Sequence, residues 1–149
     1  MKDRNNKVFD FVGHEVVVDK IVKREFTRAF MSNAKWRKLF VALDEATPQG
    51  AQVIWKFVGA KNDGVRHSLP PSPSLGERYL DDRFWFGPCY YKEIEWIEFP
   101  RVNKPYGREK IPGAHFDQDV EAIKSTLESI GAWELEATAI GYRVYGYKP

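Results

Sequence analysis

Between residues 52 and 100 the apolar residues crowd into short aromatic and β-branched runs, broken by prolines and glycines. Two of these runs, AQVIWKFVGA and YYKEIEWIEFPR, are too short for stable helices and are rich in Val, Ile, Trp and Tyr. That composition, bounded by turn residues, marks strands. On both flanks the apolar spacing is helical. The resulting order is helix, helix, three strands, helix, two strands, and it constrains the fold more than any other feature.

The segment HEVVVDKIVKREFTRAF places Val18, Val22, Glu25, Phe26, Ala29 and Phe30 near helical spacing and leaves Lys20, Lys23, Arg24 and Arg28 outward. A short strand over residues 7–12 is expected before it. In MSNAKWRKLFVALDEATPQG, Trp36, Leu39, Phe40 and Leu43 form one apolar stripe. Ser32 or Asn33 caps that helix, because a short polar side chain can accept from the free amides of the first turn. Thr47, Pro48 and Gly50 end it. A strand is expected over residues 52–58. The stretch VRHSLPPSPSLGE has three prolines within four residues, which reads as an exposed, semi-rigid loop. Strands over residues 79–86 and 90–99 follow, joined by a turn at Gly87-Pro88. After a second loop, VNKPYGREKIPGAHF, Asp117 or Asp119 caps a helix carrying Val120, Ile123, Leu127 and Ile130. Gly131 stands where a left-handed helix stop is expected. WELEAT and YRVYGYKP close the chain as a hairpin. Consecutive strands with short connections pair antiparallel. The expected fold is therefore α+β: an antiparallel sheet of about five strands with helices mainly on one face.

A chain of 149 residues that is 43% hydrophobic and 15% aromatic can bury a core as one domain, with residues 1–18 as a candidate peripheral extension. No apolar run approaches the length of a membrane span, and the amino-terminal residues lack a signal-peptide core, so a cytoplasmic setting is the expectation. The one cysteine, Cys89, allows no internal disulfide and reads as a small buried hydrophobe. Residues 1–40 hold ten Lys/Arg against five Asp/Glu, while residues 41–149 hold thirteen against sixteen. The basic head is interleaved with acids along helical segments and reads as a solvated face rather than a nucleic-acid footprint.

Three carboxylates stand among the large apolar residues of YYKEIEWIEFPR. On a regular strand Tyr90, Lys92, Ile94, Trp96 and Glu98 share one face, and Tyr91, Glu93, Glu95, Ile97 and Phe99 share the other. Tyr90, Ile94 and Trp96 are expected to lie over the helices, with Glu93 and Glu95 toward water. Two acids side by side on one face do not straddle a substrate as acid/base catalysis requires. They suit a docking surface, and Tyr91, Glu93 and Glu95 are its candidate binding residues. An alternative is a phosphate-directed enzyme or nucleotide binder that uses an Arg/His/Asp cluster of Arg66, His67, Asp81, Asp82 and Arg83. A third alternative stacks single-stranded bases on Tyr142, Tyr145 and Tyr147 beside Arg143 and Lys148. His14, His67 and His115 fall in no metal-ligand pattern, and no glycine-rich phosphate loop occurs, so neither metal nor cofactor is expected.

The segments MSNAKWRKLF, YYKEIEWIEFPR and YRVYGY together resemble a family of small bacterial proteins of unknown function, from about Asp19 onward. The resemblance implies no catalytic residue. A small domain rich in aromatics and acids is also similar to the immunity proteins of toxin systems, which plug a partner's active site. By that analogy the expected function is a non-enzymatic module that binds a protein partner, such as a basic toxin or nuclease, without membrane or nucleic acid.

Overall fold

The computed structural model of the protein describes residues 11–84 and 87–149. Helix α1 (Phe11–Glu25) and strand β1 (Arg28–Ala29) come first, followed by α2 (Asn33–Ala46). Five strands follow: β2 (Gln52–Phe57), β3 (Val65–Ser68), β4 (Tyr79–Phe84), β5 (Gly87–Tyr90) and β6 (Ile94–Pro100). β7 (Val102–Asn103) and β8 (Phe116–Asp117) bracket a long loop. Helix α3 (Val120–Ile130) then leads to β9 (Leu135–Ala137), β10 (Gly141–Tyr145) and β11 (Tyr147–Lys148). The main sheet is antiparallel with order β3-β2-β6-β10-β9. The architecture is α+β, as the spacing of apolar residues predicts.

The core lies between the sheet and helices α2 and α3. Trp36, Leu39, Phe40 and Leu43 of α2 meet Val120, Ile123 and Leu127 of α3, and both sets meet Val53, Trp55, Phe57, Ile97, Phe99 and Val144 of the sheet. Ser32 caps α2 by accepting from Lys35 N (3.1 Å), and Asp119 caps α3 by accepting from Ala122 N (3.0 Å). Cys89 is buried in the same core. Gly131, expected in the left-handed region, is instead extended, at φ 175°.

Several local expectations give way to tertiary partners. The strand expected over residues 7–12 falls largely outside the described residues, and Phe11 and Val12 belong to α1. That helix stops at Glu25 rather than running to Phe30. Arg28 and Ala29 instead pair with Lys148 and Tyr147, and Phe26 stacks on Tyr147 at 5.2 Å. Val65–Ser68, read as loop, is the edge strand β3, because β2 supplies a partner and the prolines begin only at Pro70. The loop behind it is tethered rather than free. Ser72 donates to Asp44 Oδ2 from both N (2.9 Å) and Oγ (2.8 Å), and Leu69 and Pro70 are buried. Gly87 and Pro88 begin β5 instead of turning the chain. β4 and β5 form a two-stranded sheet of their own.

The largest correction concerns β6. Phe57 pairs with Ile94, whereas Lys56 pairs with Trp96, so Glu95 is an extra residue. This bulge reverses the alternation of faces. Ile94 joins Ile97 and Phe99 on the core side, and Trp96 and Glu98 lie on the opposite face with Lys56 and Ile54. The three residues before β6, Tyr91–Glu93, form a 3-10 turn rather than strand. Trp96 therefore does not lie over the helices.

Candidate binding cleft beside the 102–118 loop

Strands β7 and β8 pair Val102 with Asp117 and Asn103 with Phe116, which closes the residues between them into a loop. Two glutamines fasten this loop to the sheet. Gln52, at the start of β2, donates from Nε2 to Lys104 O (2.8 Å) and accepts at Oε1 from Lys104 N (2.8 Å). Gln118 donates from Nε2 to the carbonyls of Gln52 (3.1 Å) and Pro100 (2.9 Å). Its Oε1 accepts from Gln52 N (2.7 Å) and Asn103 Nδ2 (3.2 Å). Side-chain amides carry a donor and an acceptor at one end, so they can pair with both groups of a passing peptide. Replacing Gln118 with alanine is expected to cost about 2 kcal/mol by orphaning several of these groups. The melting midpoint should fall by about 6 °C, with faster amide exchange at Gln52.

A cleft of about 1070 Å³ lies between this loop and the β2–β3 hairpin. Arg66, His67 and Ser68 of β3 form one wall, and Asn103, Lys104, Pro105 and Tyr106 form the other. Neighbouring strand residues point to opposite faces, so a cleft touching both Arg66 and His67 wraps around the sheet edge. Arg66 Nη1 donates to Gln52 Oε1 (2.8 Å) and Val102 O (2.9 Å), which fixes the guanidinium. Burial lowers the pKa of Arg66, and the negative charge of Glu98 opposes that shift. Tyr106 is 98% exposed, and Ile111 and Phe116 are exposed too. His115 Nε2 donates to the carbonyls of Arg108 (3.2 Å) and Glu109 (3.0 Å), bracing the far end of the loop. Residues 101–116 hold four Lys/Arg against one Glu. The loop is basic and aromatic.

The residues singled out from sequence scatter around this cleft. Arg66 and His67 line it together. Asp81 is exposed on β4, while Asp82 and Arg83 occupy β4 with side chains outside the described set. Tyr91 is buried, donates to Gly76 O (2.8 Å), and has its phenol pushed up to about 12, chiefly by burial. Glu93, expected toward water, is 2% exposed. Its Oε2 accepts from Tyr90 N (2.8 Å), and its Oε1 lies 2.8 Å from His14 Nε2, tying α1 to the turn before β6. Glu95 stays half-buried, 3.5 Å from Lys56 Nζ. The acidic face expected from the sequence is thus reduced to Glu95. Tyr142 and Tyr145, three apart on β10, point to opposite faces, and Tyr147 donates to Lys92 O (2.9 Å), so the three tyrosines form no single platform. Among the described residues no group of three His, Cys, Asp or Glu could hold a metal ion. The sequence reading missed Lys104, Tyr106 and Phe116. The available signal was an aromatic beside lysine in a Lys-Pro-Tyr-Gly turn, where burial cannot account for the ring.

A model described as a family of unknown function, DUF6678, matches residues 18–149. The chain belongs to that family. No curated protein and no solved structure matches it. The segments that carry the resemblance have structural work in this chain. Trp36 and Phe40 fill the core, Ile94 to Ile97 span the bulge, and Arg143 of YRVYGY pairs with Glu98. The family description assigns no chemistry. The cleft with its loop brings Arg66, His67, Lys104 and Tyr106 together.

Proposed function

We propose that the protein is a non-enzymatic binding module that recognises an acidic protein partner through the outer side of the 102–118 loop. The observation that carries this is the exposure of Tyr106, Ile111 and Phe116 on a basic loop held in place by Gln52 and Gln118. Aromatic side chains presented on a fixed backbone make strong interface anchors, since little freedom remains to be lost on docking. Four basic residues around them favour a negatively charged partner and speed its approach. An inhibitor of a toxin, in the manner of immunity proteins, is one form such a module takes, and a cytoplasmic location belongs to the same proposal. The burial of Glu93 argues for an acidic partner rather than a basic one.

Affinity capture from the native host, comparing the wild type with the Tyr106→Ala/Ile111→Ala pair, tests this. A stoichiometric protein is expected on the wild type and should be lost, by tenfold or more in affinity, on the variant. Capture that survives the double substitution but vanishes with Glu95→Lys would return the docking face to the acidic strand.

A further inference from the structure

We propose that the cleft between β3 and the loop is a small-molecule site for a nucleoside mono- or diphosphate. The argument starts with Arg66. Its Nη1 is taken by Gln52 and Val102. No hydrogen bond among the described residues uses Nε or Nη2. Those two nitrogens form the side of the guanidinium that meets two oxygens of one oxyanion. A guanidinium already oriented by the protein loses little freedom when it grips such a group. Lys104 supplies a second positive charge from the opposite wall. Its backbone amide is fixed by Gln52 Oε1 (2.8 Å), and its ammonium makes no ion pair among the described residues. Glu109 is the carboxylate of the lining, so the cleft carries a modest positive excess that suits one or two phosphates.

A phosphate alone would leave most of the cleft empty, at about 1070 Å³. The remaining lining mixes the polar side chains of Gln49, Ser68 and Asn103 with apolar and aromatic ones, among which Tyr106 and Phe116 present exposed rings. Flat rings stack on such faces with little regard to sequence, as bases do on aromatic side chains. Cations and exposed rings lining one cleft suit a ligand that carries both an anionic group and a planar one. Nucleoside phosphates have that shape and fit the usual range of ligand-site volumes. This inference shares Tyr106 and Phe116 with the protein-partner proposal but does not rest on it: Arg66 and Lys104 act inside the cleft, whereas Ile111 lies outside its lining.

Titration calorimetry on the full-length protein with ADP, AMP, adenosine and inorganic phosphate tests the assignment. ADP or AMP is expected to bind one-to-one, and adenosine and phosphate at least tenfold more weakly, because each fills half of the site. Lys104→Gln keeps the backbone bond to Gln52 and should weaken nucleotide binding about tenfold without lowering the melting midpoint. Arg66→Gln should weaken it further, and Tyr106→Ala should weaken ADP but not phosphate. Absence of binding by every nucleotide at millimolar concentration overturns the proposal. So does undiminished binding in Lys104→Gln, or affinity that climbs with oligonucleotide length, which would assign the cleft to a nucleic-acid chain. Ile111→Ala alone should weaken partner capture and leave nucleotide affinity unchanged, whereas Arg66→Gln should do the reverse, so loss of partner capture and loss of nucleotide binding are separable.

Discussion

Replacing Phe40 with alanine is expected to destabilise the protein by about 4 kcal/mol, in the range for truncating a large buried aromatic. Phe40 has no exposed surface. Its ring stacks with Trp36 at 5.7 Å, Trp55 at 5.6 Å and Tyr91 at 6.5 Å. One side chain thus joins α2 to the middle of the sheet and to the turn preceding β6. Its removal leaves a cavity walled by large rings that collapse inward poorly, which keeps the cost off the lower end of that range. With a urea slope of about 2 kcal/mol/M, the unfolding midpoint should fall by about 2 M. A shift under about 0.5 M would mean that the rings repack around the gap. Phe40→Leu, which refills part of the volume, should recover more than half of the loss.

Arg143→Ala is the second large expected effect, at about 3 kcal/mol, the lower end of the cost of breaking a buried ion pair. Arg143 and Glu98 stand directly opposite each other on β10 and β6. Glu98 is 2% exposed and accepts at Oε1 from Arg143 Nε (2.9 Å) and Nη2 (2.8 Å), while its Oε2 accepts from Thr138 Oγ1 (2.7 Å). The guanidinium also lies over the Trp96 ring at 3.7 Å. Burial penalises the Arg143 cation, but its hydrogen bonds to Glu98 and Tyr145 more than offset this, and its pKa is raised. Alanine here leaves a buried carboxylate with the Thr138 hydroxyl as its remaining hydrogen-bond donor among the described residues. Arg143 itself retains some contact with water, and the Arg66 charge persists nearby, so the expected cost stays near the lower bound. Chemical denaturation of Arg143→Ala beside the doubly neutral Glu98→Met/Arg143→Met decides the matter. The double variant should regain most of the lost stability, because no charge is then left buried alone. A single variant within 0.5 kcal/mol of the wild type would show that the pair contributes little.

These residues also show what a sequence reader can and cannot recover. Trp36, Leu39, Phe40 and Leu43 are legible because a helix repeats every 3.6 residues and the stripe needs no distant partner to be seen. The caps at Ser32 and Asp119 are equally local. The short strand β3 was not legible. Four residues with one valine carry little signal, and their strand conformation comes from the ladder with β2. The same holds for β1, whose partner is β11 at the other end of the chain. The cleft was half visible. Arg66 and His67 stood out by chemistry, but Lys104 and Tyr106 are brought opposite them only by the bonds that Gln52 and Gln118 make across more than fifty residues of sequence.

The segment YYKEIEWIEFPR draws the line most clearly. Its sequence determined that a strand would pass here, that its apolar residues would be buried, and that Pro100 would end it. Tertiary structure decided which face each residue takes. Strand side chains alternate with period two, so one unpaired residue moves everything before it to the other face. Glu95 is that residue. Nothing within the segment marks it, because the bulge exists only in the register between β6 and β2. Glu93 consequently caps a turn in the interior, and Trp96 lies beneath Arg143.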